Sequence, residues 1–231
     1  MSTSGTYAYN PSLGELILYA FNLAGLRNTA LTQEHMTSAS MAANLLLARW
    51  ANQGVNLWEV ELVTVPLVAG TSTYSVAAST VFILDAYMRI DDGITDPTDR
   101  IILPISRSEY ASYPNKAMQG FTTVYWHDRL LSPTITLWPV PDGTSAQYLK
   151  YYRVHQIQDA ATAGGLNVDI PYLWLESFAL SLAAQLAVIW APDRVQMLKP
   201  LADEAYKIAA DANVEIAQQY ISPQVSGYWR V

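Results

Sequence analysis

The sequence of 231 residues contains no cysteine. That removes disulfides, thiolate-bound zinc, iron–sulfur clusters and thiol nucleophiles together, so the fold must stand on packing. Charge is scarce as well. Only 14% of the residues are Asp, Glu, Lys or Arg, against about 25% in an ordinary soluble domain. By size scaling, a folded monomer of this length would expose about 300 Å² for each charge it carries. So bare a surface points to a subunit of an assembly rather than to a protein that lives alone.

Basic charge is the scarcer sign. Thirteen Lys and Arg against twenty Asp and Glu leave a net charge of −7, which lacks the basic footprint of a nucleic-acid binder and should repel phosphate. Residues 1–10 hold no basic stretch followed by an apolar one, so no secretory leader is read there. The expectation is a protein made and used inside a cell, or in a particle built there. One long apolar run exists: residues 172–191 carry a single formal charge, Glu176, with Ser177, Ser181 and Gln185 as further polar load. No Lys or Arg cluster flanks either end, so the run is read as a buried core helix and no membrane role is assigned.

The usual chemical motifs are also missing. No G-x-S-x-G, G-x-x-x-x-G-K-[ST] or G-x-G-x-x-G occurs, which takes away the nucleophile elbow and the phosphate cradles. The acidic loop Asp91, Asp92, Asp96 and Asp99 lacks the ligand order of a calcium loop and reads as turn residues. His127-Asp128 resembles half of a metal-hydrolase site, but the other histidines, His35 and His155, fall in distant elements. No catalytic residue, metal ligand or cofactor is assigned, and the chain is read as a non-enzyme.

What is present is a change of period along the chain. From Pro11 to Gln53 the pattern is helical, with Leu13, Leu16, Ile17 and Ala20 in one stripe and Met36, Ala39, Ala43, Leu46, Leu47 and Trp50 in the next. Thr32 is placed to open the second helix and Gly54 to close it. Between about Glu59 and Val154, segments 60–68, 80–90, 122–127, 134–137 and 147–154 are rich in Val, Ile, Thr, Tyr and Trp and are bounded by turn clusters. They predict an antiparallel unit of four to six strands, with a short helical turn after Ser106 or Ser108. From Asp169 the helical period returns: Asp169 is the expected cap of a nearly all-apolar helix, and Pro200 the first turn of a last one reaching about Tyr220.

The expected fold is therefore α+β but mainly α. N- and C-terminal helices (1–58 and 156–220) form one bundle, an antiparallel β unit (59–155) is inserted into it, and an extended tail (221–231) follows. The tail ends in Tyr228, Trp229 and Arg230, side chains with no core to join. With Tyr7 and Tyr9 at the other end they are the candidate interface residues. Seven Trp and fifteen Tyr, several of them on adjacent strands, keep a second reading open: a carbohydrate-binding or host-recognition module that uses the sheet aromatics. A metal-dependent hydrolase built on His127 and Asp128 is the third.

One stretch carries a resemblance. Arg107 with Tyr110, Asn115 and Lys116 with Gly120, Asp128-Arg129, and Trp138-Pro139-Val140-Pro141-Asp142 follow one another. This order resembles the β-insertion of the tailed-bacteriophage head-to-tail connector family, also called adaptor or head-completion proteins. Trp50 to Gly54 and Asp169 to Pro171 resemble that family's flanking helices. The resemblance implies a structural virion protein at the neck between head and tail, assembled in the host cytoplasm. It also implies a dodecameric ring under the portal protein, with neighbouring copies of itself, the portal and tail or nozzle and tube proteins as partners. Double-stranded DNA would pass through at ejection without sequence-specific binding. The acidic loop is then expected to face the channel or the tail, and the motif residues to be architectural.

Overall fold

The computed structural model describes residues 5–54, 57–91, 93, 96–160 and 166–214. The first helix, α1 (Leu13–Leu23), is opened by a reciprocal capping box: the Ser12 amide donates to Glu15 Oε2 at 2.8 Å and the Glu15 amide to Ser12 Oγ at 3.3 Å. The Ser12 amide and hydroxyl both donate to the Glu15 carboxyl and hold it below the usual carboxylate range. Helix α2 (Gln33–Gln53) begins after Thr32, whose amide donates to His35 Nδ1. It ends at Gly54, which takes the left-handed φ of 73° that a side chain would resist. Its inward stripe starts with the small residues Ala39 and Ala43 and broadens to Leu46, Leu47 and Trp50.

The apolar run of 172–190 becomes a 3₁₀ turn (Tyr172–Trp174) followed by α4 (Leu175–Trp190), the short α3 (Arg107–Ser112) lying earlier in the chain. By length and composition the run could cross a membrane. Here Phe178, Leu182, Ala183, Leu186 and Ala187 of α4 are fully buried against α1, α2 and α5 (Val195–Ala212). Trp50 and Trp174, with ring centroids 4.9 Å apart, form the middle of that core, and Trp58, Phe178 and Tyr206 close around them. Two expected details change. Asp169 does not cap α4; it accepts the Gln158 amide instead, at 3.4 Å. Helix α5 starts at Val195, so Pro200 lies inside it, and the described helix stops at Ala212.

The main element is a sheet, which overturns the expectation of a mainly helical bundle with a small inserted β unit. Seven strands are β1 (Val60–Pro66), β2 (Thr73–Ser75), β3 (Thr80–Asp91), β4 (Thr98–Pro104), β5 (Val124–His127), β6 (Thr134–Trp138) and β7 (Ala146–His155). They pair in the order β1-β7-β3-β4-β5-β6-β2. The sheet is mixed, because β4 and β5 run parallel with Leu103 opposite Val124. The difference has two sources. Strand β2 is too short to show alternation, and β4 carries Asp99, a residue type depleted in strands, next to the acidic turn cluster. Strand β3 has register shifts between Thr80 and Phe82 and between Ile83 and Ala86, and such bulges bend a strand. The curled sheet then encloses its own core of Met88, Ile102, Tyr125, Ile135, Leu137, Leu149 and Tyr151.

Candidate interaction surfaces

The motif residues sit together at the β4–β5 connection and the end of β6. Ser106 Oγ caps α3 by accepting the Glu109 amide at 3.1 Å. Along α3 and just past it, Tyr110 stacks on Trp126 (5.6 Å between centroids) and Tyr113 on Trp138 (4.1 Å). Lys116 donates to the carbonyls of Ala111 and Tyr113 at 3.1 and 3.0 Å, satisfying the free carbonyls at the helix end, and its ammonium lies over the Tyr110 ring. The Trp138 indole N–H donates to Asn115 O at 3.0 Å, while the Asn115 side chain accepts the Ala117 amide. Gly120 N donates to Val140 O, and the buried Thr122 hydroxyl donates to Pro139 O at 2.8 Å.

The remaining motif residues close turns. Asp128 accepts both the amide and the hydroxyl of Thr134, at 2.6 and 2.8 Å, which joins β5 to β6. Asp142 accepts the Thr144 amide, which holds its carboxyl below the ordinary range, and Gln147 Nε2 as well. The next residue, Gly143, has φ 75°, and a Cβ there would lie 2.7 Å from Ala69 Cβ. Arg107 and Arg129, the natural partners for nearby carboxylates, are exposed and form no ion pair among the described residues. His127 Nε2 is buried without a hydrogen-bond partner, and burial pushes its imidazole below its ordinary range. Among the described residues no three His, Asp or Glu side chains converge to hold a metal ion.

The acidic loop is less negative than its sequence. Asp99 and Arg89 face each other across β4 and β3 and form a two-pronged pair at 2.7 and 2.6 Å, whose hydrogen bonds hold the Asp99 carboxyl well down. Asp91 accepts the Gly93 amide, Asp96 is exposed, and Asp92 lies outside the described residues.

Tyr7 and Tyr9 are fully and largely exposed. Tyr9 meets Tyr172 edge-on at 6.4 Å, and with Pro11, Leu16, Tyr19 and Leu173 it lines an open groove of about 440 Å³ between α1 and the start of α4. Tyr19 and Tyr172 were invisible as a pair because 152 residues separate them; the only signal was that both fall off the buried stripe of their helices. Tyr228, Trp229 and Arg230 lie outside the described residues. On the sheet, Leu62, Tyr152, Ile101 and Leu103 are exposed. Leu62 pairs with Tyr152 and Tyr87 with Ile101, so they share one outer face.

A buried carboxyl sits between sheet and helices. Glu59, just before β1, is 2% exposed, and its Oε1 has no hydrogen-bond partner. Burial and the charge of Asp169 push its carboxyl up to about 7, against the pull of His155.

The sequence profile of the SU10 adaptor protein family matches residues 13–224. The chain belongs to the SU10 adaptor protein family. The match runs from the first residue of α1 through the whole sheet and beyond α5, so it rests on the complete architecture and not on the β4–β6 motif alone. No curated protein sequence matches the chain. As an SU10 adaptor it is a bacteriophage structural protein, a virion component of the head-tail junction that contacts other virion components. The stacked Tyr110–Trp126 and Tyr113–Trp138 pairs hold α3 and the segment after it onto β5 and β6 of the adaptor's sheet.

Proposed function

We propose that this adaptor forms a homo-oligomeric ring beneath the portal, joins the capsid to the tail and leaves a channel for double-stranded DNA. The family match over residues 13–224 carries this reading. Exposed Leu173, Val188, Ile189 and Ile208 on the helices and Ile101 and Leu103 on the sheet support it, since a lone protein would leave all of them in water. The chain's excess of acidic groups suits a wall along which phosphate must slide rather than adhere. In this reading Tyr228, Trp229 and Arg230, with Tyr7 and Tyr9, contact the portal or a neighbouring copy, and Asp91, Asp92 and Asp96 face the channel or the tail. Trp126 and Trp138 each give one ring face to a tyrosine partner, which weighs against the carbohydrate reading because a sugar needs a free ring face. Electron microscopy of virions labelled on this chain tests the placement. Label confined to the neck is expected; label at the tail tip or fibres would overturn it.

A further inference from the structure

Helices α4 and α5 are joined by the short turn Pro192–Arg194 and pack as an antiparallel pair. The pair carries two grooves of about 230 Å³ each, one at either end. Away from the turn, Leu173, Leu201 and Ile208 are exposed around the first groove, and Glu176 and Glu204 line it. Near the turn, Val188 lines the second with Arg49 of α2 and Lys199 of α5, against a single carboxylate, Asp203. Leu45, one turn before Arg49 on α2, is exposed beside it. Glu176, Glu204, Arg49 and Lys199 form no ion pair among the described residues.

We propose that the acidic apolar groove of one copy receives the basic apolar face of the next, so that Glu176 and Glu204 meet Arg49 and Lys199 in a head-to-tail contact. This rests on the ring reading and names the surface that builds the ring. The two faces differ in charge and sit at opposite ends of one helix pair. Each is therefore complementary to the other and not to itself, which is the condition for a heterologous, repeating contact rather than a two-fold dimer. Apolar centres flanked by opposite charges exclude water and fix register. The acidic groove is about as long as the two helical turns of Leu201 to Ile208, enough for one helix edge of a neighbour.

The absence of cysteine permits a clean test. E204C and K199C chains are mixed in equal amounts with the portal protein of their phage and treated with a short bis-maleimide, so that no chain can be linked to itself. Linked dimers are expected from the mixture and not from E204C or K199C alone. Dimers from either single variant alone would mean a two-fold contact, and a mixture without linked dimers would mean that the two faces do not meet; both overturn the proposal. A second pair checks the charges: E204K and K199E should each weaken ring formation by about ten-fold or more, and E204K/K199E in one chain should restore it. Wild-type rings that tolerate both reversals would overturn this contact and leave the ring reading standing. A wild-type chain that stays monomeric on the portal would overturn the ring reading itself.

Discussion

Glu59 Oε2 lies 2.8 Å from His155 Nδ1, and this contact ties the entry of β1 to the exit of β7 where the sheet meets the helices. The other carboxyl oxygen is buried without a partner, so the pair does not repay the full cost of burying the charge. Glu59 therefore keeps its proton to about pH 7, against an ordinary value of 4.5. Because the folded state holds that proton more tightly than the unfolded chain, the stabilisation is complete below pH 4.5 and is lost as pH rises to about 7. Glu59→Gln should remove this decline, worth up to about 3 kcal/mol. Denaturant midpoints of both proteins between pH 4.5 and 8 check it: the variant gains on the wild type as pH rises, and parallel profiles would contradict the assignment.

Trp138→Ala removes the stack with Tyr113 and the indole bond to Asn115 O. A loss of about 3 kcal/mol is expected, the lower end for a large aromatic because the ring is only partly buried. Trp138→Phe keeps a stacking face and should recover more than half of it. Urea unfolding curves measure both.

Helix α4 offers an internal comparison. Leu182 is fully buried, while Ile189, two turns on, is 60% exposed. Leu182→Ala should cost about 3 kcal/mol and Ile189→Ala less than about 0.5 kcal/mol. Similar costs at the two sites would mean that the apolar run is not arranged around this core.

Much of this fold is written locally. The stripe from Ala39 to Trp50, the stop at Gly54, the Ser106 cap and the run of α4 follow from spacing and capping chemistry, and the structure contains them. The sheet's extent is not written that way. The parallel β4–β5 pair joins Leu103 to Val124 across the whole α3 segment, and no local period reports a partner that far away. The interaction surfaces are harder still. Tyr9 and Tyr172 become neighbours only when α1 packs on α4, and the Glu59 cluster only when β1, β7 and the approach to α4 converge. The motif residues were recognisable as a set in the sequence, but the Tyr110–Trp126 and Tyr113–Trp138 stacks that explain them were not.

Truncation after Ile221 should leave a folded protein that no longer docks on its portal, because it removes Tyr228, Trp229 and Arg230 and leaves every described residue of both cores in place. An unchanged thermal midpoint with lost co-sedimentation is the expected outcome. Retained docking would take the contact away from the tail.

The most direct test is the mass of the purified chain alone and mixed with the portal ring of its phage, measured by native mass spectrometry. The adaptor reading predicts a portal whose mass rises by many copies of this chain, saturating at one fixed number. A portal of unchanged mass beside free chain would contradict it.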